Sequence, residues 1–132
     1  MEAVAPIDAE ALAIEYLKAR FASRSEVATV ATKWPVVRPD RMVKVTGVDI
    51  LEQTEVHFYH RLIFECYAES EIGASDLCRT TYALVKALEG DDSASHWVAE
   101  VVTVGGPTNF PDPDVGDRYQ FTVDILTSGA VI

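Results

Sequence analysis

A strict alternation of apolar and polar side chains over residues 118–125 constrains the fold of this chain more than any other feature. The apolar set is Tyr119, Phe121, Val123 and Ile125, and the polar set is Arg118, Gln120, Thr122 and Asp124. Successive side chains of a β-strand point to opposite faces of a sheet, so the segment predicts a strand with one buried face. The loop before it, residues 105–117, is rich in Gly, Pro and Asp. An extended loop on a rigid strand is typical of proteins that reach a neighbour in an assembly.

Four other segments have strand composition, namely residues 27–33, 41–46, 56–67 and 96–104. Pro35 and Pro39 exclude a central strand between the first two. We expect Gly47 to end the second strand, residues 48–55 to form a loop, and Gly105-Gly106-Pro107 to end the fourth strand. The strand at 96–104 is apolar on both faces, which favours a central or covered position in the sheet.

Helical periodicity is present in two segments. Asp8 is the expected N-cap of the first helix, which residues 23–25 end, and Ser70 is the expected N-cap of the second, which a left-handed Gly90 follows. The predicted buried positions are Ile7, Ala11, Ile14, Leu17 and Phe21 in the first helix, and Leu77, Thr81, Leu84 and Leu88 in the second.

The element order is therefore α-β-β-β-α-β-β. The chain has 132 residues, 48% hydrophobic and 24% charged, which suits one domain with one core, residues 1–132. Three consecutive strands between two helices favour the α+β class. We expect a mainly antiparallel or mixed five-stranded sheet with both helices on one face.

The charge balance restricts the kinds of partner. Eleven basic residues against twenty-one acidic ones give a net charge of −10. A field of this sign repels nucleic acid, so specific DNA binding through phosphate contacts is not expected. A negative surface facing DNA could still act as a non-stick wall.

No membrane or export segment is expected. The N-terminus lacks the basic start and the apolar run of a signal peptide, and no apolar stretch approaches the ~20 residues that span a bilayer. We therefore expect a soluble product made in the cytoplasm. Cys66 and Cys78 are expected to be buried free thiols, with a disulfide left open by the sequence.

Residues that bind metals or catalyse reactions do not cluster in the sequence. The candidate metal ligands are His57, His60, Cys66, Cys78 and His96. Positions 57 and 60 of one strand point to opposite faces, and no Cys-x-x-Cys or His-x-x-x-His spacing occurs. There is no Gly-x-Ser-x-Gly elbow, and Gly105-Gly106 precedes a proline rather than a helix, so it is not a phosphate cradle. The sequence predicts no catalytic residue, no metal and no cofactor.

Two groups of residues are candidates for an interface. A basic island surrounds Trp34; it is either a solvated edge that discourages strand pairing or a contact with an acidic neighbour such as the next copy of the chain. Phe110, in a Phe-Pro-Asp-Pro sequence, either folds back on its own core or anchors a partner subunit. The candidate interface residues are Trp34, Arg38, Arg41, Lys44, Phe110, Pro111 and Arg118, and Lys33 completes the basic island.

Three stretches carry a resemblance to a known family. They are Lys-Trp-Pro-Val-Val-Arg-Pro at 33–39 with Met-Val-Lys-Val at 42–45; Ile-Phe-Glu-Cys-Tyr-Ala at 63–68 with Ala74 and Leu77; and residues 106–113, from Gly-Pro through Pro-Asp-Pro, then Gly116 and Arg-Tyr-Gln-Phe-Thr-Val at 118–123. With this element order, the chain resembles the tail terminator proteins of long-tailed, siphovirus-type bacteriophages, especially those of actinobacteria. The match spans nearly the whole chain, and the ordered set carries it rather than any single motif. The chain departs from the family at 46–49, Thr-Gly-Val-Asp, where many members have Gly-Gly and extra arginines.

The resemblance implies a structural virion protein that is not an enzyme. Such proteins form a ring, usually a hexamer, at the head-proximal end of the tail. The ring stops polymerisation of the major tail tube protein, docks to the head-completion or neck protein, and lets DNA pass through its lumen without specific binding. A closed ring satisfies head-to-tail interfaces that would otherwise propagate as a filament. Two alternatives remain: another head–tail connector, such as a head-closure or neck protein, and a small non-viral α+β ligand-binding domain or enzyme.

Overall fold

The two helices and five main strands expected from the sequence are all present in the computed structural model, which describes residues 2–132. Two further strands of two residues each flank them. The elements are β1 Val4–Ala5, α1 Ala9–Ser23, β2 Thr29–Ala31, β3 Met42–Glu52, β4 His57–Tyr67, α2 Glu71–Lys86, β5 Val98–Asn109, β6 Arg118–Ser128 and β7 Ala130–Val131. The predicted α+β class and element order are confirmed.

Both helices begin at the residues that the sequence indicated. The carboxylate of Asp8 accepts a hydrogen bond from Ala11 N–H at 3.0 Å, and the hydroxyl of Ser70 accepts one from Gly73 N–H at 3.0 Å. Each side chain satisfies a backbone donor that a helix start leaves without a partner. Gly90 follows α2 with φ of +68°, the left-handed geometry expected there.

The main sheet is mixed, with strand order β2-β3-β4-β6-β5. β2 pairs with β3 in parallel, and every other pair is antiparallel. Both helices pack on one face, and between them and the sheet lies a single core. Phe64 of β4 and Phe121 of β6 stack in that core with ring centroids 4.8 Å apart. The opposite face of the sheet carries the alternate side chains of each strand.

The burial of α1 differs from the predicted stripe. Leu17 and Phe21 are buried and Ile7 and Ile14 pack at the edge of the core, but Ala11 is exposed. The buried positions of the helix are Ala9, Leu12, Ala13, Tyr16, Leu17 and Phe21. The helix has apolar residues around much of its circumference, so its periodicity alone did not fix which side faces the sheet.

The prediction that Gly47 ends β3 is wrong. The strand continues to Glu52, and its pairing with β4 shifts between Gly47 and Asp49. Such a bulge adds one residue without ending the pairing. The carboxylate of Glu10 on α1 accepts a hydrogen bond from Gly47 N–H at 2.7 Å, which satisfies that backbone group. Residues 48–52, expected to be a loop, therefore belong to a long β3–β4 hairpin.

The predictions for β5 also need correction. The strand runs through Gly105-Gly106-Pro107 to Asn109, and of the two expected positions, central or covered, it does not take the central one: it lies at an edge of the sheet, with α2 packed against it. Its register with β6 shifts three times, so its apolar residues do not alternate regularly between the faces. Pro107 is tolerated because an edge strand can lack one backbone donor.

The last residue of α2 and the turn that follows it cover part of the free edge of β5. Val101 N–H donates to Glu89 Oε1 at 2.8 Å, and Val101 C=O accepts from Lys86 Nζ at 2.7 Å. Gly90 N–H donates to Val98 C=O at 2.8 Å. These bonds block the pairing of another strand at this part of the edge.

The short β1 and β7 strands pair antiparallel and form a separate small sheet, which the sequence did not predict. Gly129 precedes β7 where the chain passes very close to β1: a Cβ atom at this position would lie 2.5 Å from the Ala5 carbonyl oxygen. Only glycine fits this approach. None of the helices within residues 2–132 is long and apolar enough to cross a membrane.

Candidate functional site

Two loops far apart in the sequence meet beside Tyr67, at the end of β4. Trp34 packs edge-on against the Tyr67 ring, with centroids 4.7 Å apart and an interplanar angle of 66°. The Arg38 guanidinium lies over the Trp34 ring at 5.2 Å and donates to the carbonyl of Val115 in the other loop. We call the exposed surface formed by residues 34–40 and 110–117 the two-loop surface.

Arg118, the first residue of β6, holds the second loop against the sheet. Its Nε donates to Phe110 C=O at 2.8 Å, and its guanidinium lies over the Phe110 ring at 4.9 Å. Its Nη1 lies 3.5 Å from carboxylate oxygens of both Glu65 and Asp112. Only 14% of the Arg118 side chain is exposed. Arg118, predicted as an interface residue, therefore supports the two-loop surface from beneath.

Tyr67 is part of the same network. Its hydroxyl donates to Glu65 Oε2 at 2.6 Å and accepts from Arg118 Nη1 at 3.3 Å. Burial, and then the hydrogen bond to Glu65, raise the pKa of Tyr67 from 10.0 to about 12, against the lowering effect of Arg118. The tyrosine therefore stays protonated and keeps donating to Glu65 throughout the physiological pH range.

Asp112 makes the second loop compact. Its Oδ1 accepts from Asp114 N–H at 2.9 Å and from Val115 N–H at 3.3 Å, and its backbone forms an isolated bridge with Gly116. The Asp114 bond is the largest cause that lowers the pKa of Asp112, and Arg118 lowers it further. A compact loop loses little conformational entropy on binding a partner.

Apolar side chains project from both loops. Phe110 is 53% exposed and Pro111 is also exposed, while Val36 and Val37 at the tip of the first loop are almost fully exposed. Phe110 thus has one ring face on Arg118 and about half of its area free. The two-loop surface combines exposed apolar groups with arginine, a composition enriched at protein interfaces.

The other two residues predicted for the interface, Arg41 and Lys44, lie outside the two loops. Arg41 Nη1 donates to Val27 C=O at 3.0 Å, and its Nη2 lies 4.0 Å from Glu26. Lys44 is half-buried within β3, directly opposite Glu65 on β4. The basic island predicted around Trp34 is therefore divided: Arg38 joins the two-loop surface, Lys44 is the cross-strand neighbour of Glu65 beneath it, and Arg41 contacts Val27 and Glu26.

The structure gives the positions of the histidines and cysteines that were considered as metal ligands. His57 and His60 point to opposite faces of β4, as the sequence indicated. His60 is buried, and its Nε2 lies 3.0 Å from the Thr127 hydroxyl. Burial lowers the pKa of His60. Cys66 and Cys78 are free and buried, and burial raises the pKa of the Cys66 thiol. Within residues 2–132, no three His, Cys, Asp or Glu side chains are grouped so as to hold a metal ion.

No protein-family model matches this chain, and no curated protein matches it. Its function must therefore be inferred from its own residues and fold.

Sequence reasoning missed the residues that join the two loops. The alternating pattern assigns Glu65 and Tyr67 to a strand and indicates no further role for them. The acceptor at Val115 is a backbone carbonyl, which every residue has, so the sequence does not mark it. Besides the resemblance at 63–68, the one available signal was the position of Tyr67 and Arg118 at the ends of two predicted strands. Without the strand register, that signal could not show that they are direct cross-strand partners.

Proposed function

We propose that this protein is a ring-forming tail terminator of a long-tailed bacteriophage, with the two-loop surface as its contact with an adjoining tail protein. It closes the head-proximal end of the tail tube, stops polymerisation of the tube protein and presents a docking surface to the head-completion protein. DNA passes through its lumen without specific binding. The protein acts by fitting its neighbours and catalyses no reaction.

The observation that carries the proposal is the convergence of the three stretches with family resemblance. Residues 33–39, 63–68 and 106–123 are far apart in the chain, yet Trp34, Arg38, Tyr67, Phe110 and Arg118 form one connected cluster. Tyr67 and Arg118 meet as cross-strand partners and are largely buried, whereas Trp34, Arg38 and Phe110 come to them from two separate loops. Their meeting supports a shared role in recognition.

The network beneath the surface supports the same role. Arg118, Glu65 and Tyr67 hold the second loop in one conformation, while Phe110 and the valines of the first loop stay exposed. Rigid apolar groups give up less entropy on docking than flexible ones. The net charge of −10 suits a pore wall that must release DNA.

The test is to add the purified protein to polymerising tail tube protein and to measure tube lengths by negative-stain electron microscopy. We expect wild-type protein to cap one end of each tube and to shorten the tubes. Phe110→Ala and Arg38→Glu should weaken capping while leaving the urea unfolding midpoint nearly unchanged.

The control for Phe110→Ala is Trp97→Ala, which removes a similarly exposed aromatic ring just before β5. The control for Arg38→Glu is Lys18→Glu, which makes the same charge change on α1. Both should cap normally. If Phe110→Ala or Arg38→Glu unfolded instead, those positions would be structural and the assigned interface would be wrong. A protein that binds only the head side and leaves tube length unchanged would be a different connector.

A further inference from the structure

We propose that copies of this chain associate head to tail, with the acidic tip of the β3–β4 hairpin of one copy seated in an arginine-lined cleft of the next. The proposal rests on the ring-forming function above, and it names the two surfaces that the copies use. The hairpin tip is residues 48–56, and the arginine cleft is defined by Arg24, Arg41 and Arg79.

The hairpin tip is acidic and apolar. It contains three carboxylates, Asp49, Glu52 and Glu55, and no lysine or arginine. Asp49 faces Arg61 across the strands, but neither Glu52 nor Glu55 has an ion-pair partner within the part of the chain that the structure describes. Four large apolar side chains are exposed beside these acids: Val48, Ile50, Leu51 and Val56. This surface needs a partner that offers both cations and apolar contact.

The tip is also preorganised. The Thr54 hydroxyl accepts from the backbone N–H groups of Val56 at 3.2 Å and His57 at 3.0 Å, and it lies 2.9 Å from His57 Nδ1. The backbone of Gln53 donates to His57 C=O at 2.9 Å. A turn held by these bonds loses little freedom when it docks.

The arginine cleft has the complementary character. It has a volume of about 530 Å³, and Ala83 and Leu84 contribute apolar lining. Its three arginines face two carboxylates: Arg24 at 2.6 Å and Arg41 at 4.0 Å share Glu26, and Arg79 pairs with Asp76. One positive charge is therefore in excess, in a chain whose net charge is −10. Because two copies repel each other overall, a local attraction of this kind is what selects the orientation of their contact.

The two surfaces lie at opposite ends of one rigid element. Arg41 immediately precedes β3, and Glu52 ends it. The eleven residues of β3 separate them by roughly 36 Å at about 3.3 Å per residue. A tip at one end and its complementary cleft at the other make a heterologous contact, which forms a closed ring when the rotation between copies closes.

Charge exchange tests the proposal. The tip variant is Glu52→Lys with Glu55→Lys, and the cleft variant is Arg24→Glu with Arg79→Glu; all four side chains are exposed. Sedimentation velocity of the full chain over a concentration series measures association. Each variant alone should associate at least about tenfold more weakly than wild type, which corresponds to about 1.4 kcal/mol. A 1:1 mixture of the two variants should regain association, because each tip then meets a cleft of opposite charge.

Two controls carry charge changes of the same kind elsewhere. Glu15→Lys with Asp92→Lys matches the tip variant, and Lys18→Glu makes one of the two charge changes of the cleft variant; all three positions are exposed. The controls should associate like wild type. Circular dichroism and urea unfolding verify that every variant is folded.

The outcomes separate this proposal from the proposed function. Wild-type association that neither variant weakens, or a mixture that does not regain association, overturns the hairpin-to-cleft contact and leaves tube capping to its own test. A wild-type chain that stays monomeric also overturns the contact. The expected charge-exchange result, together with a failure to cap tubes, supports the contact and rejects the terminator function.

Discussion

Replacing Arg118 by methionine separates a supporting role for this residue from a direct role in binding. Arg118→Met keeps most of the side-chain volume but removes every polar contact of the guanidinium. Phe110 C=O loses its 2.8 Å donor, and Glu65 and Asp112, whose side chains are 17% and 18% exposed, lose their shared cation.

The magnitude follows from the burial of this network. An exposed ion pair contributes about 0.2–1 kcal/mol, and breaking a fully buried pair costs about 3–5 kcal/mol. Arg118 is mostly buried but its carboxylate contacts are long, at 3.5 Å, so the hydrogen bond to Phe110 is its strongest. A hydrogen bond to a charged group contributes about 1.5–3 kcal/mol. We expect Arg118→Met to lower the free energy of unfolding by about 2–3 kcal/mol.

Urea denaturation followed by circular dichroism measures this loss, which should move the midpoint by roughly 1–2 M. Hydrogen exchange should speed up most at residues 110–117, the loop that Arg118 holds. Arg118→Lys keeps the charge but not the planar fork, so it should lose part of the stability. If Arg118→Met costs less than about 0.5 kcal/mol, a typical value for surface changes, Arg118 does not support the loop, and the original interface prediction becomes the better one.

Three further predictions concern stability. The folded-state pKa of Tyr67 is raised from 10.0 to about 12, so the stability that this shift contributes is complete below pH 10 and is lost as the pH rises through 12. Tyr67→Phe should remove about 3 kcal/mol of this pH dependence in urea titrations. Gly129→Ala places a Cβ atom 2.5 Å from the Ala5 carbonyl oxygen and should cost about 1–3 kcal/mol, so an unchanged melting temperature would contradict the close approach. Phe64→Ala removes one ring of the stack with Phe121 and should cost about 3–5 kcal/mol in calorimetry, with Phe64→Leu costing clearly less.

Local chemistry made the helix starts and the strand faces predictable. Asp8 and Ser70 cap their helices through their own side chains, and the alternation around Phe121 and Phe64 sets which residues are buried. These signals depend on neighbours within a few residues, which the sequence displays directly.

The failures occurred where distant residues decided the outcome. Gly47 was predicted to end a strand, but β4 and the carboxylate of Glu10 on α1 supply its backbone partners across a bulge. The apolar composition of β5 suggested a central or covered strand; the strand is not central, and Lys86 and Glu89 satisfy part of its free edge. Local composition could not reveal either interaction.

The sequence by itself determined the class of the fold, the order of its elements and the acidic character of its surface, because periodicity, capping residues and charge are local properties. Tertiary structure alone decided that Trp34 and Phe110 belong to one surface, that Arg118 lies beneath it, and that an acidic tip and an arginine cleft occupy opposite ends of β3. Strand register and loop packing set these juxtapositions. Many of them depend on contacts between residues far apart in the chain, such as the Arg38–Val115 hydrogen bond across 77 positions, and no local pattern specifies such contacts.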